Sequence, residues 1–288
     1  MNKKSAKIEY LVIGHVTHDI VGDHKVAGGT VTYSSLCANN LGLYSSLFTI
    51  CETDFTFPPE LAAIKRIIKE SPITTTFENI ETKHGREQVL HQIARPISVD
   101  NLPDLGYQPA IVHLGPVADE INSNILDAFP ESFIGLTPQG WMRKRDENNI
   151  VHYQAWKEAQ KYLERANAVV LSIEDVRGDR ELVEQYAAKT KVLVLTEGNH
   201  GAVVYWNGDM RKFSAPSVPA VDATGAGDIF AAAFFATLFF TNDPWEAGRK
   251  AVSIASASVS KVGIKGVPTP DEMRAFNIEI IERRDTNG

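Results

Sequence analysis

Several features that mark whole classes of proteins are scarce or missing in this chain of 288 residues. It contains only two cysteines, Cys37 and Cys51, and no C-x-x-C pair, which excludes a zinc ribbon and a thioredoxin-like redox site. The eight histidines include no H-E-x-x-H motif, so the sequence carries no signal for a transition metal. A G-x-x-x-x-G-K stretch is also absent, which excludes a P-loop.

An excess of basic residues is missing as well. The 29 basic and 36 acidic residues give a net charge of −7, and a non-specific nucleic-acid binder needs a basic surface. The longest apolar run, Ile229–Phe240, falls short of the roughly 20 residues that span a bilayer. The first apolar run, Tyr10–Ile13, is too short for a signal-peptide core. We therefore expect no nucleic-acid partner, no membrane span and a cytoplasmic location.

Short apolar runs alternate with longer stretches of helical periodicity along most of the chain. The runs predict strands at Ile8–Ile13, Ala110–Leu114, Phe133–Leu136, Ala168–Leu171 and Val192–Leu195, each buried on both faces as in a parallel sheet. Helices are expected at Pro58–Glu70, Glu120–Phe129, Ala155–Ala166, Asp179–Thr190, Ile229–Phe240 and Pro244–Lys261. Asn207-Gly208 predicts a hairpin between 202–206 and 210–213. This alternation indicates a single α/β domain over residues 1–288.

The segment Asp222–Asp228, which reads D-A-T-G-A-G-D, is the most informative for chemistry. It precedes an apolar helix, whose first amide groups lack partners and attract anions. Glycines there let a phosphate approach the backbone, and a carboxylate beside that phosphate can accept the proton of an attacking hydroxyl. A plain helix start, capped by Asp222 or Thr224, is the alternative interpretation.

The same segment resembles the D-T-x-G-A-G-D signature of the ribokinase/PfkB family of carbohydrate kinases. The resemblance implies a three-layer α/β/α sandwich with a mostly parallel sheet and a small β lid, here formed by about 20–34 and 84–97. It also implies a kinase that uses ATP and Mg²⁺. Asp228 would then be the catalytic base, and Gly225, Ala226 and Gly227 would form an anion hole.

Other segments resemble the family in the same order along the chain. Asp19, Gly28 and Gly29 match positions that bind the acceptor substrate in the family. Thr196, Gly198 and Gly201 match a T-x-G-x-x-G-A segment that lies against the nucleotide, and Thr224 is expected beside it. The implied partner is a small sugar or polyol, and the protein would be a monomer or a homodimer.

The chain departs from the family at two places. Tyr33 occupies the position of an asparagine that contacts substrate in ribokinase-like sugar kinases, so the acceptor site must differ. The N-x-x-E segment, which organises magnesium, reads Ser172-Ile173-Glu174-Asp175, so Glu174 or Asp175 would act, through water.

The segment from Thr137 to Arg143 is similar to myo-inositol kinases, and it suggests that Arg143 binds the substrate. The favoured acceptor is therefore myo-inositol or a related cyclitol. A nucleoside kinase on the same fold is the alternative, and a non-catalytic sensor of nucleotides or metabolites is a third possibility.

Overall fold

A large sheet forms the centre of the protein in the computed structural model, which describes residues 9–82 and 85–275. In chain order the strands of these residues are β1 (Glu9–Ile13), β2 (Thr17–Val21), β3 (His24–Gly28), β4 (Tyr44–Cys51), β5 (Lys65–Glu70), β6 (Thr75–Thr82), β7 (Gly85–Gln92), β8 (Ile111–Leu114), β9 (Phe133–Leu136), β10 (Arg143–Arg145), β11 (Val151–Tyr153), β12 (Ala168–Ser172), β13 (Val192–Thr196), β14 (Ala202–Trp206) and β15 (Asp209–Phe213). The helices are α1 (Thr30–Asn40), α2 (Ala159–Arg165), α3 (Arg180–Ala187), α4 (Ala226–Thr241), α5 (Pro244–Ser258) and α6 (Pro270–Ala275).

Nine of these strands form the main sheet in the order β15-β14-β13-β12-β9-β8-β1-β4-β5. The strands from β13 to β5 are parallel, and β14 and β15 continue the sheet as an antiparallel hairpin. The predicted Asn207-Gly208 turn is confirmed, with positive φ angles of 52° and 83°. Such angles let the turn match the twist of its strands.

The sheet is buried on both faces, which confirms the three-layer sandwich. In β1, Tyr10 and Val12 join one apolar cluster while Leu11 and Ile13 join the other, as the two-residue period of a strand requires. Helix α4 packs into the first cluster, where its alanines allow close contact with α1 and α5. The second cluster contains a stacked Trp141 and Trp156 pair.

A second sheet of four strands, β3-β2-β6-β7, forms the lid. The expected segment of about 20–34 contributes only its first part, because β2 and β3 cover 17–28 and residues 30–34 already belong to α1. The expected segment of 84–97 contributes β7, which ends at Gln92. Strand β6, which the sequence did not predict, pairs with β2 in parallel and with β7 antiparallel. Residue 84 lies outside the described residues.

Several predicted helices are wrong or too long. The segment Pro58–Glu70 contains a short 3₁₀ turn at Pro59–Leu61 and then the edge strand β5. Its charged residues are exposed, which suits the outermost strand of a sheet because charges discourage further pairing. The segment Glu120–Phe129 holds a 3₁₀ helix at Ser123–Ala128. Helices α2 and α3 are shorter than expected.

The start and the end of the predicted strands agree with the structure to within a residue or two. Two elements near the amino terminus, β4 and α1, were not predicted. In residues 9–82 and 85–275, no helix has both the length and the apolar character needed to cross a membrane.

Candidate active site

The candidate site lies at the carboxyl ends of the parallel strands, the edge where open α/β sheets bind their ligands. The loops after β1 and β8 approach each other so closely that a Cβ on Gly14 would overlap the Gly115 carbonyl group. Residue Glu120 fixes this approach, because its buried carboxylate accepts hydrogen bonds from the amides of His15, Val117 and Ala118 at 2.7–3.1 Å. The strand ends therefore form a rigid floor for the site.

Asp228 stands in the first turn of α4, at the centre of the site. Gly225 caps this helix in the left-handed conformation, with φ at 77°. The Ser34 hydroxyl donates to the Asp228 carbonyl at 3.0 Å and thereby joins α1 to the start of α4. Burial raises the pKa of the Asp228 carboxyl to about 6, against the effects of a Thr30 hydrogen bond and the nearby charge of Arg143. Asp228 is therefore ionised at neutral pH but more basic than an ordinary aspartate.

The amides before Asp228 divide into two kinds. The Ala226 amide donates to the Ala223 carbonyl at 3.1 Å and closes a turn. The amides of Gly225 and Gly227 have no acceptor among the described residues, and a Cβ on Gly227 would meet nothing within 4 Å. The loop thus offers two unengaged donors beside open space, which is the arrangement that binds an anion at a helix start.

Tyr33, in the first turns of α1, lies beneath this loop. Its side chain is only 4% exposed, and a Cβ on Gly225 would overlap its ring. Burial raises the pKa of the Tyr33 hydroxyl, and the charges of Asp228, Asp19 and Asp222 add to the effect. The hydroxyl therefore stands among the three acids that face the site.

The predicted acceptor residues lie together where the lid meets the sheet. Asp19 accepts a hydrogen bond from the Thr17 hydroxyl at 2.9 Å. Strand β3 runs beside them, and a Cβ on Gly28 would overlap the Asp19 carboxylate. Gly29 adopts a φ of 87°, and a Cβ there would overlap the His15 carbonyl. Both glycines are thus required for the close approach of the lid hairpin to the strand end.

Arg143 and Asp175 lie on the opposite side of the site from the lid hairpin. The Asp175 carboxylate accepts from the Ser172 amide at 2.8 Å and from the Gln139 side chain at 3.1 Å. Burial raises its pKa, while Arg143 lowers it. Glu174, in contrast, is exposed. The structure therefore brings Asp175 into the site and leaves Glu174 at its rim.

The loop after β13 forms the remaining side of the site. Its Glu197 is nearly buried and pairs with Arg180 and Lys212. Gly198 and Gly201 have φ angles of 56° and 93°, and Gly201 packs against the backbone of β15. This loop and the neighbouring Thr196, whose hydroxyl donates to the Leu171 carbonyl, are held in place from both ends. Thr224 is exposed, and its amide donates to Asp222 at 2.9 Å.

Sequence reasoning missed three of the residues that organise this site. Glu120 and Gln139 belong to no motif, and Thr30 belongs to none although it immediately follows the Gly28-Gly29 pair. Each acts through a hydrogen bond to a residue distant in the sequence, so no local pattern could reveal it. His15 and His113 prove to be buried and hydrogen bonded, His15 to Thr75 and Arg95 and His113 to Tyr10 and Thr137.

The donor set of the site fits magnesium only in partnership with a phosphate ligand. No cluster of three or more His, Cys, Asp or Glu side chains that could hold a metal exists in the part of the chain that the structure covers. Magnesium commonly takes one or two protein carboxylates and completes its shell with water and phosphate oxygens. Asp175, with Glu174 behind it, supplies carboxylates of that kind next to the anion-binding loop.

Comparison with known proteins agrees with this geometry. Residues 156–271 match the model of the pfkB family carbohydrate kinases. A cytidine kinase of Thermococcus kodakarensis is 25% identical over 255 residues, which cover 80% of this chain and 88% of that protein. An inositol 3-kinase of Zea mays is 35% identical over 94 residues, or 32% of this chain and 24% of that protein.

Solved structures show the same fold. A pyrophosphate-dependent kinase in the ribokinase family, complexed with a pyrophosphate analog and myo-inositol, superimposes with a TM-score of 0.77 at 21% identity, covering 92% of this chain and 99% of that one. Arabidopsis thaliana ribokinase, complexed with ribose and ATP, gives a TM-score of 0.72 at 17% identity, covering 94% and 98%.

The fold, the site and these matches define a phosphotransferase of the ribokinase fold whose acceptor is a hydroxyl group. More specifically, the chain belongs to the pfkB family of carbohydrate kinases.

Proposed function

We propose that the protein transfers the γ-phosphoryl group of ATP to a hydroxyl group of a small polyol, with myo-inositol or a related cyclitol as the favoured acceptor. The observation that supports this most is the convergence of Asp19 and Asp228 on one space, since each carboxylate acts on the other's surroundings. One acid is placed to orient acceptor hydroxyls, and the other is placed to remove a proton.

In this proposal the acceptor lies between the lid and the start of α4. Asp19 accepts hydrogen bonds from hydroxyl groups of the acceptor, and the Tyr33 hydroxyl contributes a further contact. Asp228 takes the proton of the attacking hydroxyl as the new bond to phosphorus forms and the bond to the leaving phosphate breaks. A base with a pKa of about 6 is ionised at neutral pH and still basic enough to assist.

The anion-hole loop stabilises the charge of the phosphoryl group during transfer. The amides of Gly225 and Gly227 are fixed before the reaction, so they need no reorganisation, and such donors are worth about 3–4 kcal/mol each in other enzymes. Ala226 contributes by closing the turn that orients them. Bound magnesium would neutralise phosphate charge, and Asp175 is the residue placed to hold it, with Glu174 acting through water.

An exposed apolar patch supports a nucleotide as the donor. Val221 and Val262 are 63% and 66% exposed, and their segments are joined by hydrogen bonds from Val221 and Asp222 to Val259 and from Gly263 to Asp222. The patch lies next to the loop that leads to Gly225. An adenine ring would cover this apolar surface, whereas pyrophosphate would leave it in water. Thr196, Gly198, Gly201 and Thr224 are the proposed nucleotide contacts around it.

The inner face of the lid supports a polyol over a nucleoside. Register places Val26, Asp19, Phe77 and Leu90 side by side across the four strands. Phe77 and Leu90 are nearly buried, and Tyr33 is covered by Gly225. Of the residues described, none presents a wide aromatic face on which a base would stack. The 25% identity to a cytidine kinase keeps a nucleoside as the second candidate.

A reducing location agrees with the proposal. Both cysteines are free and buried, and ATP is a substrate of the cytoplasm. We therefore assign the protein to the cytoplasm as part of the same proposal.

A direct assay separates these possibilities. ADP release is measured with ATP and Mg²⁺ against myo-inositol and its isomers, ribose, fructose, 2-keto-3-deoxygluconate, adenosine, inosine and cytidine. Phosphate release with pyrophosphate is measured in parallel. Turnover on a cyclitol with ATP would support the proposal, and turnover on cytidine alone would replace it with the nucleoside alternative. ATP binding without turnover on any acceptor would indicate a sensor.

The donor assignment has its own matched variants. Val221→Glu should raise the KM for ATP about tenfold and leave the acceptor KM unchanged. Met210→Glu, which alters an equally exposed apolar side chain on β15, should leave both constants unchanged. Equal ATP constants in wild type and Val221→Glu would remove the apolar patch from the donor site.

A further inference from the structure

Arg143 is a cation placed among carboxylates without a direct ion pair to any of them. The charges of Asp175, Asp228, Glu120 and Asp19 all act on its guanidinium group. Over the residues that the structure describes, its single hydrogen bond runs from Nη1 to the Val117 carbonyl at 3.3 Å. A guanidinium has five N–H donors, so most of its hydrogen-bonding capacity is unused.

The backbone holds Arg143 firmly in this position. It directly follows the turn Pro138–Met142, in which a Cβ on Gly140 would overlap the backbone of Pro116 and Val117. The turn is therefore pressed onto the loop after β8. On the other side, the guanidinium carbon lies 5.8 Å from the centre of the Phe77 ring in the lid. Arg143 is thus fixed between the floor of the site and its lid.

The carboxylates around Arg143 already have other partners. Asp175 accepts from Ser172 and Gln139, and Glu120 accepts from three backbone amides. Asp228 and Asp19 accept from the hydroxyls of Thr30 and Thr17. Because each acid is satisfied without Arg143, the arginine is not explained as a structural counterion.

The unused donors of Arg143 match a phosphoryl group better than a polyol. A half-buried charge is costly unless a ligand or partner compensates it, and a neutral polyol provides no charge. The planar fork of a guanidinium fits two oxygens of a phosphate. Arg143 also lies between the acceptor side, marked by Asp19, and the donor side, marked by Asp175, which is where the phosphoryl group passes.

We propose that Arg143 is a catalytic residue that donates hydrogen bonds to the non-bridging oxygens of the phosphoryl group during transfer. This role rests on the proposed function. The acceptor oxygen forms its bond to phosphorus, the bond to the leaving oxygen breaks with its electron pair, and the acceptor proton passes to Asp228. Arg143 keeps its own proton throughout and acts only through its charge and its hydrogen bonds.

The test compares Arg143→Ala with wild type and with Lys144→Gln, a neighbouring exposed residue that serves as the control. Arg143→Ala should lower kcat by about 100-fold or more, as loss of an oxyanion donor does elsewhere, and change the KM values of ATP and acceptor by less than about fivefold. Guanidinium ion added at tens of millimolar should restore at least tenfold of the lost rate. A purely structural role would not be rescued in this way.

Binding gives a second readout that does not depend on turnover. Calorimetry is carried out with ADP and Mg²⁺, with and without aluminium fluoride, a mimic of the phosphoryl group in transfer. Aluminium fluoride should tighten ADP binding to wild type, and Arg143→Ala should abolish most of that gain without changing the affinity for ADP alone.

The outcomes separate the two proposals. If wild type transfers phosphate but Arg143→Ala keeps kcat within about threefold, or gains as much from aluminium fluoride as wild type does, the role of Arg143 is overturned and the kinase function stands. A large rise in acceptor KM alone would make Arg143 a substrate-binding residue instead. If wild type neither transfers phosphate nor responds to aluminium fluoride, the proposed function itself fails.

Discussion

The ring of Tyr33 lies directly against the backbone of Gly225, so that no side chain fits between them. This contact joins α1, which begins at the acceptor side, to the loop that starts α4. It places an aromatic residue under the anion hole, while the Tyr33 hydroxyl remains in the field of Asp19 and Asp228. Acceptor recognition and phosphate binding therefore share one side chain.

The first prediction concerns Gly225. A Cβ at this position would overlap the Tyr33 ring, and the φ of 77° costs a non-glycine residue about 1–2 kcal/mol on its own. Gly225→Val should displace the loop, raise the KM for ATP at least tenfold and lower kcat. Gly227→Ala, which adds its Cβ to open space, should have a much smaller effect. Steady-state kinetics of the two variants check the prediction, and unchanged ATP kinetics in Gly225→Val would remove Gly225 from the anion hole.

The second prediction separates the ring of Tyr33 from its hydroxyl. Tyr33→Phe preserves the packing on Gly225 and removes only the proposed acceptor contact, so the acceptor KM should rise about tenfold while the ATP KM stays the same. Tyr33→Ala removes both and should also weaken ATP use and stability. If Tyr33→Phe leaves the acceptor KM unchanged, the residue supports the loop but does not bind the acceptor.

The third prediction follows from the pKa of about 6 for Asp228. Only the ionised carboxylate accepts a proton, so kcat/KM should rise with pH, tenfold per unit below about pH 6, and level off above about pH 7. An ordinary aspartate, with its pKa near 4, would give a flat profile from pH 5 upward. Measured rates between pH 4.5 and 8.5 test this, with the coupling enzymes held in excess at each pH.

The fourth prediction concerns stability. Because the pKa of Asp228 is higher in the folded protein than in an unfolded chain, the fold favours the protonated form. Its contribution to stability is fully present below about pH 4 and is lost as the pH rises through about 6. A shift of about two units corresponds to roughly 3 kcal/mol, and partial exposure reduces this to about 1–2 kcal/mol.

Asp228→Asn, which carries no charge, should therefore unfold at higher urea concentration than wild type at pH 8. The difference should shrink as the pH falls toward 4.5. A variant that is less stable than wild type at pH 8 would contradict the assigned cause of the raised pKa.

The fifth prediction distinguishes the two candidate magnesium ligands. Asp175 is half-buried and held by Ser172 and Gln139, whereas Glu174 is exposed. Asp175→Asn should raise the Mg²⁺ concentration needed for half-maximal rate at least tenfold, and Glu174→Gln should change it less than threefold. Titration of Mg²⁺ at fixed ATP checks both variants. The reverse order of effects would assign the metal to Glu174.

The layered fold was readable from the sequence because strands buried on both faces appear as unbroken apolar runs. The runs at 110–114, 133–136 and 192–195 match β8, β9 and β13 closely. The segment 58–70 misled because Ile64, Ile67 and Ile68 have helical spacing. Its strand is decided by pairing with β4 at the edge of the sheet, which local periodicity does not contain.

The candidate site was only partly readable for a similar reason. Asp228 and Gly225 belong to a continuous motif, so a short segment revealed them. Glu120 and Gln139 act on partners that are distant along the chain, and the burial that raises the pKa of Asp228 comes from the assembled sheet and lid. Residues of this kind become visible only when the fold brings them together.

The most direct test of the account is the transfer of radiolabelled γ-phosphate from ATP to myo-inositol, compared between wild type and Asp228→Asn. Both proteins should bind ATP with similar affinity in calorimetry, and the variant should keep its fold. We expect labelled inositol phosphate from wild type and a rate at least 10³-fold lower from the variant, at the upper range of general-base effects. Near wild-type transfer by Asp228→Asn would contradict the central claim that Asp228 is the catalytic base.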